Sequence, residues 1–185
     1  METVAISKVA TGRRERPVGL RLARPLRSRA LGLCLAAALS ASSSPAAAAD
    51  KVRLTNLSDL AFGTVTNLTI DAVRAENVCI YSTSRTNGYH VVASGTGPGG
   101  AFELASGTDK LAFDVAWNNS SGQSSGSLLT PNVPLTGQTS AATQQTCNSG
   151  PATTASLIVI LRAAALSSAM AGTYNGTLTL VVGPE

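Results

Sequence analysis

Histidine is nearly missing from this sequence, at one residue in 185, and aromatic residues make up only 4% of it. One histidine, His90, cannot assemble a histidine-rich metal site, and no carboxylate cluster supplements it. The only tryptophan and tyrosines are Trp117, Tyr81, Tyr89 and Tyr174, a thin supply for stacking sugar rings. No apolar run approaches the about 20 residues that a membrane-spanning helix needs. No repeat of 20–50 residues is present, which excludes a propeller or solenoid. Charge is sparse too, at 13% of residues, and it is unevenly placed.

The unevenness marks a leader. Residues 1–49 hold eight basic residues (Lys8, Arg13, Arg14, Arg16, Arg21, Arg24, Arg27, Arg29) against Glu2 and Glu15, a net charge of +6. Residues 31–39 (LGLCLAAAL) form a short apolar core, and Ser40, Ser42, Ser43, Ser44 and Pro45 end it before Ala47-Ala48-Ala49. A basic stretch, an apolar stretch and a small-residue site in that order define a secretory signal peptide, with cleavage expected after Ala49. The remaining 136 residues (50–185) carry six basic and eight acidic residues, a net charge of −2. The sequence pI of about 9.3 therefore belongs to the leader. No basic stripe is left, so no nucleic-acid partner is expected. The length suits one domain, and nothing in it is expected to span a membrane.

Of three cysteines, Cys34 lies in the leader, leaving Cys79 and Cys147. An even pair in an exported chain reads as a disulfide, whereas a metal site needs more ligands at closer spacing.

The periodicity of residues 50–185 is that of strands. Residues 173–182 (TYNGTLTLVV) put Tyr174, Leu178, Leu180 and Val182 on one face and Thr173, Asn175, Thr177 and Thr179 on the other. Residues 110–117 (KLAFDVAW) alternate likewise, with Leu111, Phe113, Val115 and Trp117 inward. Residues 77–83 and 88–94 form two more strands around a turn containing Asn87-Gly88, and 155–161 (ASLIVIL) is a strand buried on both faces. Residues 52–65 and 68–73 supply the opening strands, and 163–170 hold the one helical turn or two. Gly-, Ser-, Asn- and Pro-rich stretches at 95–100, 118–127 and 147–151 are loops. Short strands with regular turn signals predict an all-β fold, a β-sandwich.

Catalytic patterns fail on context. Gly122-Gln123-Ser124-Ser125-Gly126 matches G-x-S-x-G, but that motif works on a strand–turn–helix elbow with an acid and then a histidine downstream. Here it sits in a Ser/Gly loop, and His90 lies upstream. The 95–100 stretch (GTGPGG) lacks the Lys-Ser/Thr and helix of a phosphate-binding loop. No enzyme activity and no cofactor is expected.

Asp59-Leu60-Ala61-Phe62-Gly63, Val78-Cys79-Ile80, Gly88-Tyr89-His90-Val91 and the ending Ala171-Gly172-Thr173-Tyr174…Leu178-Thr179-Leu180 resemble the spore coat U-like domain, shared by pilins of archaic chaperone–usher fimbriae. The resemblance spans nearly all of residues 50–185. It implies an immunoglobulin-like sandwich that lacks a strand and is completed by a donor strand. It also implies a structural subunit of a bacterial surface fibre (fimbria or pilus), partnered by copies of itself or related pilin subunits, a periplasmic chaperone and an outer-membrane usher. The chain would cross the periplasm to the cell surface. The candidate donor is the N-terminal arm of residues 50–60, through Val52, Leu54, Leu57 and Leu60. Two other expectations stand beside this one: a self-complete secreted β-sandwich, and a carbohydrate-binding adhesin.

Overall fold

The computed structural model describes residues 4–12 and 50–185. The apolar core of the leader (31–39) and the cleavage site at Ala49 lie outside the described residues. Twelve strands run through the described residues in chain order: β1 Val4–Gly12, β2 Val52–Thr55, β3 Leu60–Gly63, β4 Ala72–Ser82, β5 Gly88–Ser94, β6 Glu103–Ser106, β7 Asp109–Ala112, β8 Asp114–Asn118, β9 Ser127–Leu128, β10 Leu135–Thr139, β11 Ala155–Leu161 and β12 Asn175–Pro184. A short helix, α1, covers Ala163–Ser168, and a 3-10 turn covers Pro98–Gly100.

The strands make two sheets. One has five strands in the order β2-β4-β11-β8-β9. The other has seven, with the path β10-β5-β12-β1-β3 and β6 and β7 attached beside β12. Side chains alternate across a strand, so each sheet turns one row inward. From the five-stranded sheet come Val78, Ile80, Val115, Trp117, Leu157, Val159 and Leu161; from the other come Leu60, Phe62, Tyr89, Val91, Leu178, Leu180 and Val182, all buried in one cluster. The fold is an all-β sandwich, as the periodicity predicts.

The alternation at the end of the chain holds as read, with Leu178, Leu180 and Val182 of β12, and Tyr174 just before it, all buried. β5 and β11 fall where the apolar runs put them, and every residue of β11 is buried. Its second face explains that: Ile158 and Ile160 pack with Ala116 and Val73 in a smaller cluster outside the main core.

Residues 110–117 differ from the expectation of one strand. Leu111, Phe113, Val115 and Trp117 do share the core, but β7 and β8 belong to different sheets, β7 pairing with β6 and β8 with β11. The chain changes sheets at Phe113, whose own N–H bonds to the Phe102 carbonyl. Inward alternation survives that crossing because both sheets face the same core. Residues 68–71 are not strand either, and only Ala72 and Val73 of that stretch join β4. Asp71 is used differently: it accepts hydrogen bonds from the Ala163 N–H and from Arg162, tying the start of α1 to the start of β4. The Ala163 N–H, and then Arg162, hold the Asp71 carboxyl below its ordinary value. The opening stretch 52–65 splits into β2 and β3, parted by Asn56 at a φ of +62°, a conformation asparagine tolerates better than most residues.

Cys79 and Cys147 are bonded, with Cα atoms 6.2 Å apart. The bridge lies on the outer face of β4 with Ala142 and Tyr81, and it fastens the loop between β10 and β11 to the five-stranded sheet. The Ser140 hydroxyl adds a second tie by donating to the Ile80 carbonyl.

Candidate functional site

The most unusual feature is the origin of one strand in the seven-stranded sheet. β12 is the last strand, and on one edge it pairs with β5 from Thr179 to Pro184 and with β6 at Asn175. Its other edge carries β1, in parallel, from Ala5↔Asn175 to Gly12↔Val182. β1 also pairs antiparallel with β3, through Ala5↔Ala61 and Ile6↔Leu60. One strand position thus lies between β3 and β12, and residues 4–12, within the stretch read as leader, fill it. Every other neighbour pair in the two sheets joins strands within residues 50–185.

The slot is lined by apolar side chains from both of its walls. Leu60 and Phe62 line it from β3, and Leu178, Leu180 and Val182 from β12. A small cavity beneath it is bounded by Leu57, Leu157, Val159 and the carboxylate of Glu76. Glu76 Oε1 accepts hydrogen bonds from the Ser58 N–H and hydroxyl. Its Oε2 is buried without a hydrogen-bond partner among the described residues. The Arg74 guanidinium of β4 lies 5.9 Å from the Phe62 ring centroid.

The four candidate donor residues are divided. Val52 and Leu54 lie on β2, in register with Ser82 and Ile80 of β4, and both pack against the main core. Leu57 and Leu60 bound the cavity under the slot. In this structure the first half of the arm is paired with β4 of its own chain, and its last residue, Leu60, begins β3, one wall of the slot.

The patterns tested for chemistry stay apart. Ser124 is exposed in the loop before β9. That loop is held by bonds from the Gly122 N–H to Asn77 and from the Gln123 N–H to the Ser156 hydroxyl. His90 is on β5 of the other sheet, its Nδ1 3.9 Å from Glu185. Gly183 faces that ring, and a Cβ at 183 would require the ring to shift. Trp117, Tyr89 and Tyr174 are at most 1% exposed, so none of their rings is offered to a sugar. Among the described residues no helix is long and apolar enough to cross a membrane.

The slot was hidden from sequence reasoning because its filling strand lies in the stretch read as leader. Val4, Ile6 and Ala10 alternate there, but Lys8 interrupts the pattern and the basic surroundings mask it. Glu76 had a visible signal: a carboxylate two residues before Val78, on the inward row of a strand.

No protein-family model matches the chain. No curated protein matches it in sequence either.

Proposed function

We propose that this chain is a structural subunit of a bacterial surface fibre, a fimbria or pilus, assembled by donor-strand complementation. One observation carries the reading: the strand position between β3 and β12 is filled from residues 4–12, which export would remove. Once they are gone, β3 and β12 face each other across a gap with unpaired N–H and C=O groups above an apolar floor. Such an edge invites an added strand. If each subunit's gap takes a strand from the next, the contact is heterologous and does not close on itself, so it builds a filament. A periplasmic chaperone would fill the gap in transit, and an outer-membrane usher would oversee the exchange.

The test is size-exclusion chromatography of the mature chain, Asp50–Glu185, with and without peptides spanning residues 3–13 and 50–61. Concentration-dependent self-association, relieved by one of the peptides, is expected. A stable, concentration-independent monomer that melts cooperatively and takes up neither peptide rules out strand complementation.

A second reading has its own support. Val52–Thr55 pairs with β4 of its own chain, as a self-complete secreted sandwich would have it. The monomer outcome would favour that reading.

A further inference from the structure

We propose that Asn87 is a site of spontaneous covalent modification, at which its carboxamide closes on the Gly88 nitrogen and water then opens the ring to aspartate or isoaspartate. The inference stands apart from the strand-acceptor reading, because its reactants are the turn itself and water.

The sequence holds two Asn-Gly pairs, Asn87-Gly88 and Asn175-Gly176. Asparagine before glycine is the pair most prone to this ring closure, since no side chain shields the glycine nitrogen. The fold separates the two. Asn87 is exposed in the turn between β4 and β5, at a φ of +55°. Its carboxamide makes no hydrogen bond among the described residues. Those of Asn56, Asn67, Asn77, Asn118 and Asn132 are each engaged. The turn is held through its backbone instead: the Asn87 N–H donates to the Ser84 carbonyl, and the Asn87 carbonyl accepts from the Ser140 N–H. The Gly88 carbonyl accepts from the Ser82 and Ser84 hydroxyls and from the Glu185 N–H. None of these bonds uses the Gly88 nitrogen or the Asn87 carboxamide. Asn175-Gly176 lies on β12, where Asn175 is level with Ala105 of β6 and both residues are paired with β1. A Cβ added at 176 would come within 2.7 Å of Leu104 Cδ2 and 2.9 Å of the Glu103 carbonyl oxygen. Ring closure swings the peptide nitrogen toward the side-chain carbon, and a strand so enclosed must open locally first.

In the reaction the Gly88 nitrogen attacks Cγ of Asn87. The N–Cγ bond forms, the Cγ–Nδ2 bond breaks, and ammonia leaves with the proton that the Gly88 nitrogen gives up. The product is a cyclic imide, a succinimide. Water then adds to either imide carbonyl. Opening at the side-chain carbonyl gives aspartate. Opening at the main-chain carbonyl gives isoaspartate, whose backbone runs through the side chain and is longer by a methylene. No oxidant or reductant takes part. Either product adds a negative charge to residues 50–185, which are already net acidic. Isoaspartate also displaces the main chain where the Ser140 N–H bonds. Ser140 directly follows β10, an edge strand that pairs with β5 alone among the described residues. The modification therefore loosens β10 and leaves the slot, on the far side of β12, as it was.

Ageing the folded full chain at mildly alkaline pH, followed by tryptic digestion, tests this. Arg85 and Lys110 bound peptide 86–110, whose sole asparagine is Asn87, and Arg162 precedes peptide 163–185, whose sole asparagine is Asn175. Relative to an unaged sample, peptide 86–110 is expected to gain the mass of an amide-to-acid exchange and to split into two chromatographic products. Peptide 163–185 should convert at least about tenfold more slowly, because its strand must open first. In urea the two should convert at similar rates. Asn87→Gln should abolish the conversion of 86–110. Aged wild type should lose hydrogen-exchange protection at the β10 amides, while Asn87→Asp, which carries the charge on an unaltered backbone, should keep it. If peptide 86–110 of the folded chain keeps its amide as long as 163–185 does, the proposal is overturned. Conversion with β10 protection unchanged would overturn the link from Asn87 to β10. Neither result bears on strand uptake by the slot.

Discussion

Replacing Tyr89 with phenylalanine removes one oxygen from the middle of the sandwich, and the effect should far exceed the size of the change. Tyr89 lies on β5 of the seven-stranded sheet and Trp117 on β8 of the five-stranded sheet. They meet edge to face, with ring centroids 6.4 Å apart and planes at 79°. The Trp117 Nε1–H donates to the Tyr89 hydroxyl at 3.1 Å. Neither residue is more than 1% exposed, so water cannot replace the lost partner. Tyr89→Phe strands the indole N–H, and leaving a buried donor unsatisfied costs about 1–3 kcal/mol. Trp117→Phe strands the hydroxyl instead and also opens a cavity, so it should cost more, about 3 kcal/mol or above. The double variant leaves no orphaned polar group and should be less destabilised than the two single losses together, by about 1 kcal/mol or more.

The same pair predicts a fall in stability in alkali. Burial, opposed in part by the bond to Trp117, pushes the Tyr89 hydroxyl up to about 12 from an ordinary 10. The folded state then holds a proton that the unfolded state has released. The stabilisation is complete below pH 10 and is lost as pH rises from there toward 12, at up to about 1.4 kcal/mol per pH unit. Tyr89→Phe should flatten that part of the profile. Urea denaturation of wild type and the three variants at neutral pH and at pH 10–11 measures both effects. Strict additivity of the single losses, with an alkaline slope unchanged in Tyr89→Phe, would refute the bridge as described.

Three further outcomes are expected. Cys79→Ala/Cys147→Ala removes a link that closes a 68-residue separation, which should cost about 4 kcal/mol in the chain-entropy model; a loss below about 1 kcal/mol in chemical denaturation would contradict that. Ser124→Ala and His90→Ala, one in an exposed loop and one on a half-buried strand position, should each change the melting temperature little and leave whatever function is assayed intact; loss of that function in a folded Ser124→Ala chain would bring back the hydrolase idea. N-terminal sequencing of exported material should begin at Asp50, and a mature product still containing residues before Leu31 would end the export reading.

The sequence by itself determined the sandwich, its rows and its staple. Period-two alternation is a local property, so 88–94, 155–161 and the run ending at Val182 could be read directly. Two cysteines left after the leader allow one pairing, so the bridge needed no coordinates. Short strands with little apolar content were beyond reach: β6 has only Leu104 as a large apolar residue, and β10 carries one leucine among polar neighbours. Tertiary structure alone decided sheet membership. Leu111 to Trp117 read as one strand because inwardness is common to both sheets, while the hydrogen-bond partner, which changes at Phe113, leaves no trace in a hydrophobic pattern. The slot has the same cause. Its walls, β3 and β12, are more than a hundred residues apart in the chain, and which of their edges lack a neighbour depends on how every other strand has paired. Local chemistry marked Glu76 as an oddity on an apolar row, but only the pairing of β4 with β11, which sets it opposite Leu157, placed it at the cavity under the slot.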